Sequence, residues 1–290
     1  MSEFLQFAFS GITVGMIYAI VALGFTVIYN ASHVVNFAQG EFVMLGAMFT
    51  VFAIAIGLPY PVAAFVAVIL TAIVSVALFD LAIRPARNAP IFALIIITIG
   101  ASILLRGLAR VGFGTSFFSL PPILGDAPIQ IRGAILQRQS LVGIGAVGIM
   151  LAGLWLMMNK TLLGKALVAV SNDQLASRLS GINVRSIIRL SFAVSAAIGA
   201  VGGIVITPIA LASYDMGTLL ALKGFAAAML GGMGNPAGAI IGGLLVGLTE
   251  AFSAGYLSSD YKDAMAFIII FLVLFIFPGG LFGKETHERV

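Results

Sequence analysis

The sequence predicts an all-α, polytopic membrane helical bundle of about eight to ten transmembrane helices. Three observations lead there. Hydrophobic residues make up 61% of the chain and charged residues only 9%, against about 25% charged in an ordinary soluble domain. No Asp, Glu, Lys or Arg occurs in the runs 4–40, 42–79, 190–214 and 224–249, and about 20 apolar residues suffice for one helical crossing. The runs are apolar throughout rather than alternating, which excludes an outer-membrane barrel. A helix also pairs its own backbone groups, as the bilayer interior demands.

The elements follow in order. Met1-Ser2-Glu3 carries no positive charge, and the apolar stretch behind it lacks a small-residue cleavage site, so the first segment, Phe7–Tyr29, reads as a retained span. After the polar break Asn30–His33, residues 36–41 lead into a second span ending near Gly57. Leu58-Pro59-Tyr60-Pro61 is a tight turn, because two prolines fix φ and remove donors. The third span covers Val62–Ile83 and the fourth Ile91–Phe113. Gly114–Gln139, with three prolines, lies outside the membrane. A fifth span, Ser140–Met158, precedes the hydrophilic segment Asn159–Arg189, and the sixth is Leu190–Leu211. Gly231–Pro236 interrupts the run from Leu219 to Gly255, which reads as two shorter helices meeting at the break or as a re-entrant hairpin. The last span is Ala264–Phe277, closed by Pro278-Gly279-Gly280. The whole chain, 1–290, forms one membrane domain.

Orientation rests on the basic residues. Segment 159–189 holds five Lys/Arg; placing it inside also places Arg84, Arg87, Lys284 and Arg289 inside, while Arg106, Arg110, Arg132 and Arg138 fall outward. About nine crossings then give an outside N-terminus and an inside C-terminus. The formal charge of +4 reflects this bias and points to no nucleic-acid partner. Gly11 and Gly15, Gly238 and Gly242, and Gly243 and Gly247 stand four apart, a spacing that lets helices approach closely.

No catalytic constellation is present. Cysteine is absent, His33 and His287 lack neighbours at metal-ligand spacing, and the phosphate-cradling Gly-x4-Gly-Lys-Ser/Thr pattern is missing. The chain reads as no enzyme, binding neither metal nor cofactor. Gly164–Asn183 is the most informative polar piece. Asp173 suits a helix N-cap and Gly181 a C-terminal stop. Leu175, Ala176 and Leu179 share one side, with Gln174, Ser177 and Arg178 around the rest. This is a short amphipathic helix, shaped either to dock in a groove of another subunit or to rest on the membrane interface. Asn36, Gln39, Glu41 and Glu250 are the candidates for the translocation pathway or an internal polar network; the first three open the second span, where Glu41 belongs either to that network or, as the favoured alternative, to the inner interface. Glu250 follows 26 uncharged residues and needs an internal partner or a wet cavity. Arg106 and Arg110 are explained by snorkelling to headgroups. Tyr256, Asp260, Lys262 and Asp263 form a polar patch at the outer mouth, where a delivering protein could dock.

Several stretches together resemble the LivH-type permeases of high-affinity branched-chain amino acid ABC importers: GMIYAIVALG at 15–24, VNFAQGEF at 35–42, ITIG at 97–100, the segment 164–183, AMLGGMG at 228–234 with Pro236, Gly238 and Ala239, GYLSSDYKDA at 255–264, and GLFG at 280–283. The resemblance covers essentially the whole chain. It implies a type II-like importer fold in a bacterial cytoplasmic (inner) membrane. It also implies a homologous second permease (LivM-like), two cytoplasmic ATPases (LivG-like and LivF-like) that use ATP and magnesium, and an extracytoplasmic binding protein. By that resemblance segment 160–189 is the cytoplasmic coupling segment, with Gly164, Lys165, Asp173, Leu175, Ala176, Arg178, Leu179 and Gly181 engaging the ATPase. Substrate would pass along the interface of the two permeases. The family usually has His where this chain has Gln39 and Arg where it has Val168, so a protonation switch and a cationic contact to the ATPase are both missing. Branched-chain or broader hydrophobic amino acids are the expected cargo; urea, short amides or other small organic solutes are the alternatives. A self-sufficient secondary carrier or channel would instead need inverted repeats, and the breaks at 57–61 and 231–236 lack matching flanks. A non-transporting scaffold would leave the amphipathic segment without use.

Overall fold

The computed structural model describes residues 2–86, 89–125, 127–131 and 133–283. The orientation residues Arg87, Arg132, Lys284 and Arg289, and His287, lie outside them. Among the described residues the architecture is all-helical apart from one antiparallel hairpin. In order come α1 (Ser2–Ser32), α2 (Gln39–Ala55), α3 (Tyr60–Leu78) with a π-helical turn over Phe79–Ile83, and α4 (Ile91–Phe113). The hairpin of β1 (Ile129–Ile131) and β2 (Ala134–Leu136) follows, then α5 (Arg138–Lys160), α6 (Leu162–Asn172), α7 (Gln174–Leu179) and α8 (Val184–Ile206). The last are α9 (Met216–Gly231), α10 (Pro236–Tyr256) and α11 (Lys262–Ile276).

Among the described residues, six helices are long and apolar enough to cross a membrane: α1, α3 with its π turn, α4, α5, α8 and α10. The nine-crossing reading also counts α2, α9 and α11. At 17, 16 and 15 residues these rise only about 22–26 Å, short of roughly 30 Å of hydrocarbon. Two of them are short because they begin inside the bundle. Gln39 and Gly40 at the start of α2 are fully buried, and Gly40 meets Gly217 in the first turn of α9. The sixth span also starts earlier than its apolar run suggests: α8 begins at Val184, so Arg185 and Arg189 belong to its first two turns.

α1 is the central helix. Its residues 15–28 are all buried, and it packs along α10, α8 and α9. α4 and α5 stand at the edge with apolar outer faces. Without a hydrophobic drive between helices in lipid, close backbone approach carries the association. A methyl on Gly15 would fall 2.8 Å from Leu244 Cα, and one on Gly11 2.8 Å from Leu248 Cα, while Gly243 lies on Ala19 and Gly247 on Gly15. Gly238 and Gly242 face Gly231 and Ala227 of α9 in the same way. All three glycine pairs in the sequence therefore lie at helix crossings.

Local chemistry sets the ends. Pro61 sits in the first turn of α3 and Gly57 takes φ +94°, which makes the turn between α2 and α3. The break at 231–236 separates α9 from α10, with Asn235 Oδ1 accepting from Gly238 N at 3.1 Å and Pro236 in the first turn. The closing stretch returns to this break: Leu281 N donates to Leu230 O and Phe282 N to Gly231 O, satisfying carbonyls that α9 leaves open. At the other end of the bundle, Gln6 clasps Ile135 of the hairpin, accepting from its N–H at 2.7 Å and donating to its C=O at 3.3 Å.

Candidate functional site

Three groups of polar side chains stand apart from the apolar packing. The first lies where α2 begins. Residues 34–38 are not helical, yet Asn36 and Ala38 are fully buried. Irregular backbone at this depth is tolerated only when protein satisfies it. Thr98 of α4 does part of this, accepting from Phe37 N at 3.2 Å, and Asn36 Oδ1 accepts from Ala38 N at 3.2 Å. Gln39 is fully buried with both ends of its amide hydrogen-bonded: its Nε2 donates to Ser195 O at 3.2 Å, and Ser195 Oγ donates to its Oε1 at 2.6 Å. Gly24 supplies the space, since a methyl there would collide with the Gln39 amide. One side chain thus ties α1, α2 and α8 together.

Glu41 is fully buried among protein groups. Its Oε1 accepts from Ser102 Oγ of α4 at 2.8 Å, and the carboxylate lies against Gly217 where the first turns of α2 and α9 meet. Two helix N-termini place partial positive charge beside a carboxylate there. Arg106, read from sequence as a snorkelling residue, turns inward instead and donates to Thr218 Oγ1 of α9 at 2.7 Å. Arg110 one turn on lies over the Tyr214 ring at 5.7 Å. Among the described residues, Glu41 Oε2 and Asn36 Nδ2 are buried without a hydrogen-bond partner.

The second group joins α1, α9, α10 and α11. Lys223 Nζ lies 2.8 Å from Glu250 Oε2 and 2.6 Å from Asp263 Oδ1. Tyr18 donates to Glu250 Oε2 at 2.6 Å, the Lys223 ammonium sits 5.3 Å from the Tyr18 ring centroid, and Lys262 stands 4.0 Å from Glu250 Oε1. Glu250 accordingly has the internal partner its sequence context demands. Lys223 went unnoticed in the sequence, although it is the sole Lys or Arg between Arg189 and Lys262, a signal that such a residue needs a partner. The polar patch expected for docking divides: Lys262 and Asp263 join this network, whereas Tyr256, packed on Phe7 and Phe252, and Asp260 stay exposed.

The third group is the amphipathic segment. Asp173 Oδ1 accepts from Leu175 N at 2.7 Å and Ala176 N at 2.9 Å, and Gly181 takes φ +81°, giving the cap and the stop that the spacing predicts. α6 is not free: Gly164 lies against Met157 O and Met158 of α5, Leu167 and Val170 are buried, and Lys165 points outward. α7 projects. Leu175 and Leu179 are 66% and 82% exposed, Ala176 and Arg178 are exposed as well, and Ser177 faces inward. Beside it, Asp80 of the π turn gathers Arg189 at 2.7 Å, Arg185 at 3.7 Å and Arg84 at 3.8 Å, a cluster that was also missed. Among the described residues no group of His, Asp and Glu is placed to hold a metal ion.

The sequence from 7 to 274 matches the family model described as branched-chain amino acid transport system / permease component. The high-affinity branched-chain amino acid transport system permease protein LivH of Escherichia coli (strain K12) is 32% identical over 99% of this chain and 98% of its own length. The corresponding protein BraD of Pseudomonas aeruginosa is also 32% identical, with the same coverage. Among solved structures, PsaBC from Streptococcus pneumoniae in complex with Fab superposes with a TM-score of 0.52 at 15% identity, covering 94% of this chain and 91% of that one. That likeness establishes the fold alone.

Proposed function

The chain belongs to the family of permease components of branched-chain amino acid transport systems, and on that premise we propose that it forms one half of the membrane channel of an ATP-driven importer for branched-chain or broader hydrophobic amino acids. Membership of that family supports a place in a multi-subunit transporter, as its membrane permease. In this reading a homologous second permease completes the pathway, two ATPases dock on the end bearing α7, and a binding protein delivers cargo at the opposite end. The α7 end is cytoplasmic and the N-terminus lies outside.

The observation that carries the reading is α7 itself. A capped short helix that projects two leucines from the bundle, with Ser177 turned inward, presents apolar surface that another protein can cover. Lys165 and Arg178 add positive charge around the docking face. The exposed Tyr256 and Asp260 at the far end suit a delivering protein. Asn36, Glu41 and Arg106 are assigned to the moving polar junction between α2, α4 and α9, and Gln39 to its fixed part.

The test is uptake of labelled leucine into proteoliposomes containing this chain, its co-encoded permease and the ATPases, with and without ATP and the loaded binding protein. Uptake that requires both additions is expected. ATPase stimulation without leucine uptake would keep the importer and replace the cargo by another small solute. Uptake by this chain alone would overturn the reading in favour of a carrier or channel.

A further inference from the structure

A cavity of about 550 Å³ opens between α7, the start of α8 and the adjoining ends of α3 and α4, a size typical of small-molecule sites. Its lining is of two kinds. Phe79, Ile83, Leu94 and Ile188 belong to one apolar cluster and supply a hydrocarbon wall. Arg84, Arg178 and Arg185 line the same space. Among the described residues the carboxylate paired with this cluster is Asp80, which Arg189 holds at 2.7 Å and which Arg84 and Arg185 reach at 3.8 and 3.7 Å. Arg178 makes no ion pair among the described residues. Forked guanidinium donors in excess of carboxylates match the oxygens of a phosphate.

Position narrows the ligand further. The cavity lies where the apolar outer faces of α3 and α4 end: Leu81, Ile91 and Phe92 are 79%, 61% and 79% exposed, as lipid-facing residues of a spanning helix are. Its mouth is therefore at headgroup level. A soluble anion would use the arginines and leave the apolar wall in water, whereas a lipid fills both. We propose that this cavity binds an anionic phospholipid of the bilayer, its phosphate on Arg84, Arg178 and Arg185 and the upper part of an acyl chain against Phe79, Ile83 and Leu94. Basic pockets between helix ends at a membrane surface bind such headgroups. The site stands independently of the transport reading. If α7 is also the ATPase contact, the lipid braces it against α8.

The experiment places the full-length chain in phosphatidylcholine vesicles doped with phosphatidylglycerol carrying a photoreactive acyl chain, and maps the labelled peptides by mass spectrometry. Label is expected on the segments around Phe79–Leu94 and Val184–Ile188. Each of Arg178→Gln and Arg185→Gln should lower it about fivefold. Lys165→Gln, an exposed lysine on the same end but outside the cavity, should leave it unchanged. Arg178 is exposed and makes no ion pair among the described residues, so Arg178→Gln tests the site without endangering the fold. Equal labelling by a photoreactive phosphatidylcholine would overturn the proposal, as would labelling indifferent to both arginine variants. Displacement by inorganic phosphate would reassign the cavity to free anions and overturn the lipid.

Discussion

Replacing Lys223 by Met tests the buried network most directly. The ammonium lies 2.8 Å from Glu250 Oε2 and 2.6 Å from Asp263 Oδ1. The Asp263 side chain is 53% exposed and can be hydrated once the cation is gone; that of Glu250 is 10% exposed and cannot. At an effective dielectric of about 20 the Lys223–Glu250 attraction is roughly 6 kcal/mol, part of which desolvation of the pair already offsets. Removing one partner of a buried pair destabilises by about 3–5 kcal/mol, because the other charge stays behind. Lys262, 4.0 Å from Glu250, compensates in part and puts the expected loss near the lower end, about 3 kcal/mol. That corresponds to a fall of about 5 °C in Tm. The double variant Lys223→Met with Glu250→Gln keeps an acceptor for the Tyr18 hydroxyl while removing the stranded charge, so it should regain most of the loss. Thermal melting of the purified chain, followed by near-ultraviolet circular dichroism, measures both. A single variant melting within about 2 °C of the parent, or a double variant no better than the single, would refute the reasoning.

Three further outcomes are expected. Gly24→Ala pushes a methyl into the Gln39 amide and should lower stability by about 1–3 kcal/mol; a variant that melts like the parent would show that the α1–α2–α8 junction is loosely packed. Leu179→Asp alters a side chain that is 82% exposed, so melting should move by no more than about 0.5 kcal/mol while co-purification of the ATPase subunits is lost; retained ATPases would remove α7 from the docking surface. Asn235→Ala deletes the cap of α10, with an expected loss of about 1 kcal/mol. Faster amide exchange at Gly238 should report it, and unchanged exchange would mean that Pro236 and the returning tail suffice.

Much of the bundle is legible from residue order because its signals are local. Apolar runs between turn residues mark the helices, and Pro61, Asp173, Gly181 and Asn235 act on backbone groups within a few positions of themselves. Glycine spacing likewise reveals which faces approach closely, though not which helix comes to meet them. The length of α2 and α9 is a different matter. Hydropathy extends through residues 34–38, and only the packing of Gly40 on Gly217 and of Gln39 into the space at Gly24 shows that α2 starts within the bundle. Charge placement is the clearest division. A lone Glu250 announces that it needs a partner, yet Lys223, 27 positions earlier in the chain, and Tyr18, 232 positions away, are chosen by the way α1, α9 and α10 cross. The same holds for Arg106, equally compatible by sequence with headgroups or with Thr218, 112 positions on. Composition determines that this chain lives in lipid, since apolar surface on that scale has no other solvent. Tertiary structure decides which of its few charges are buried, because a buried charge is stable only beside a counter-charge or donor that the fold, and not the neighbouring sequence, brings to it.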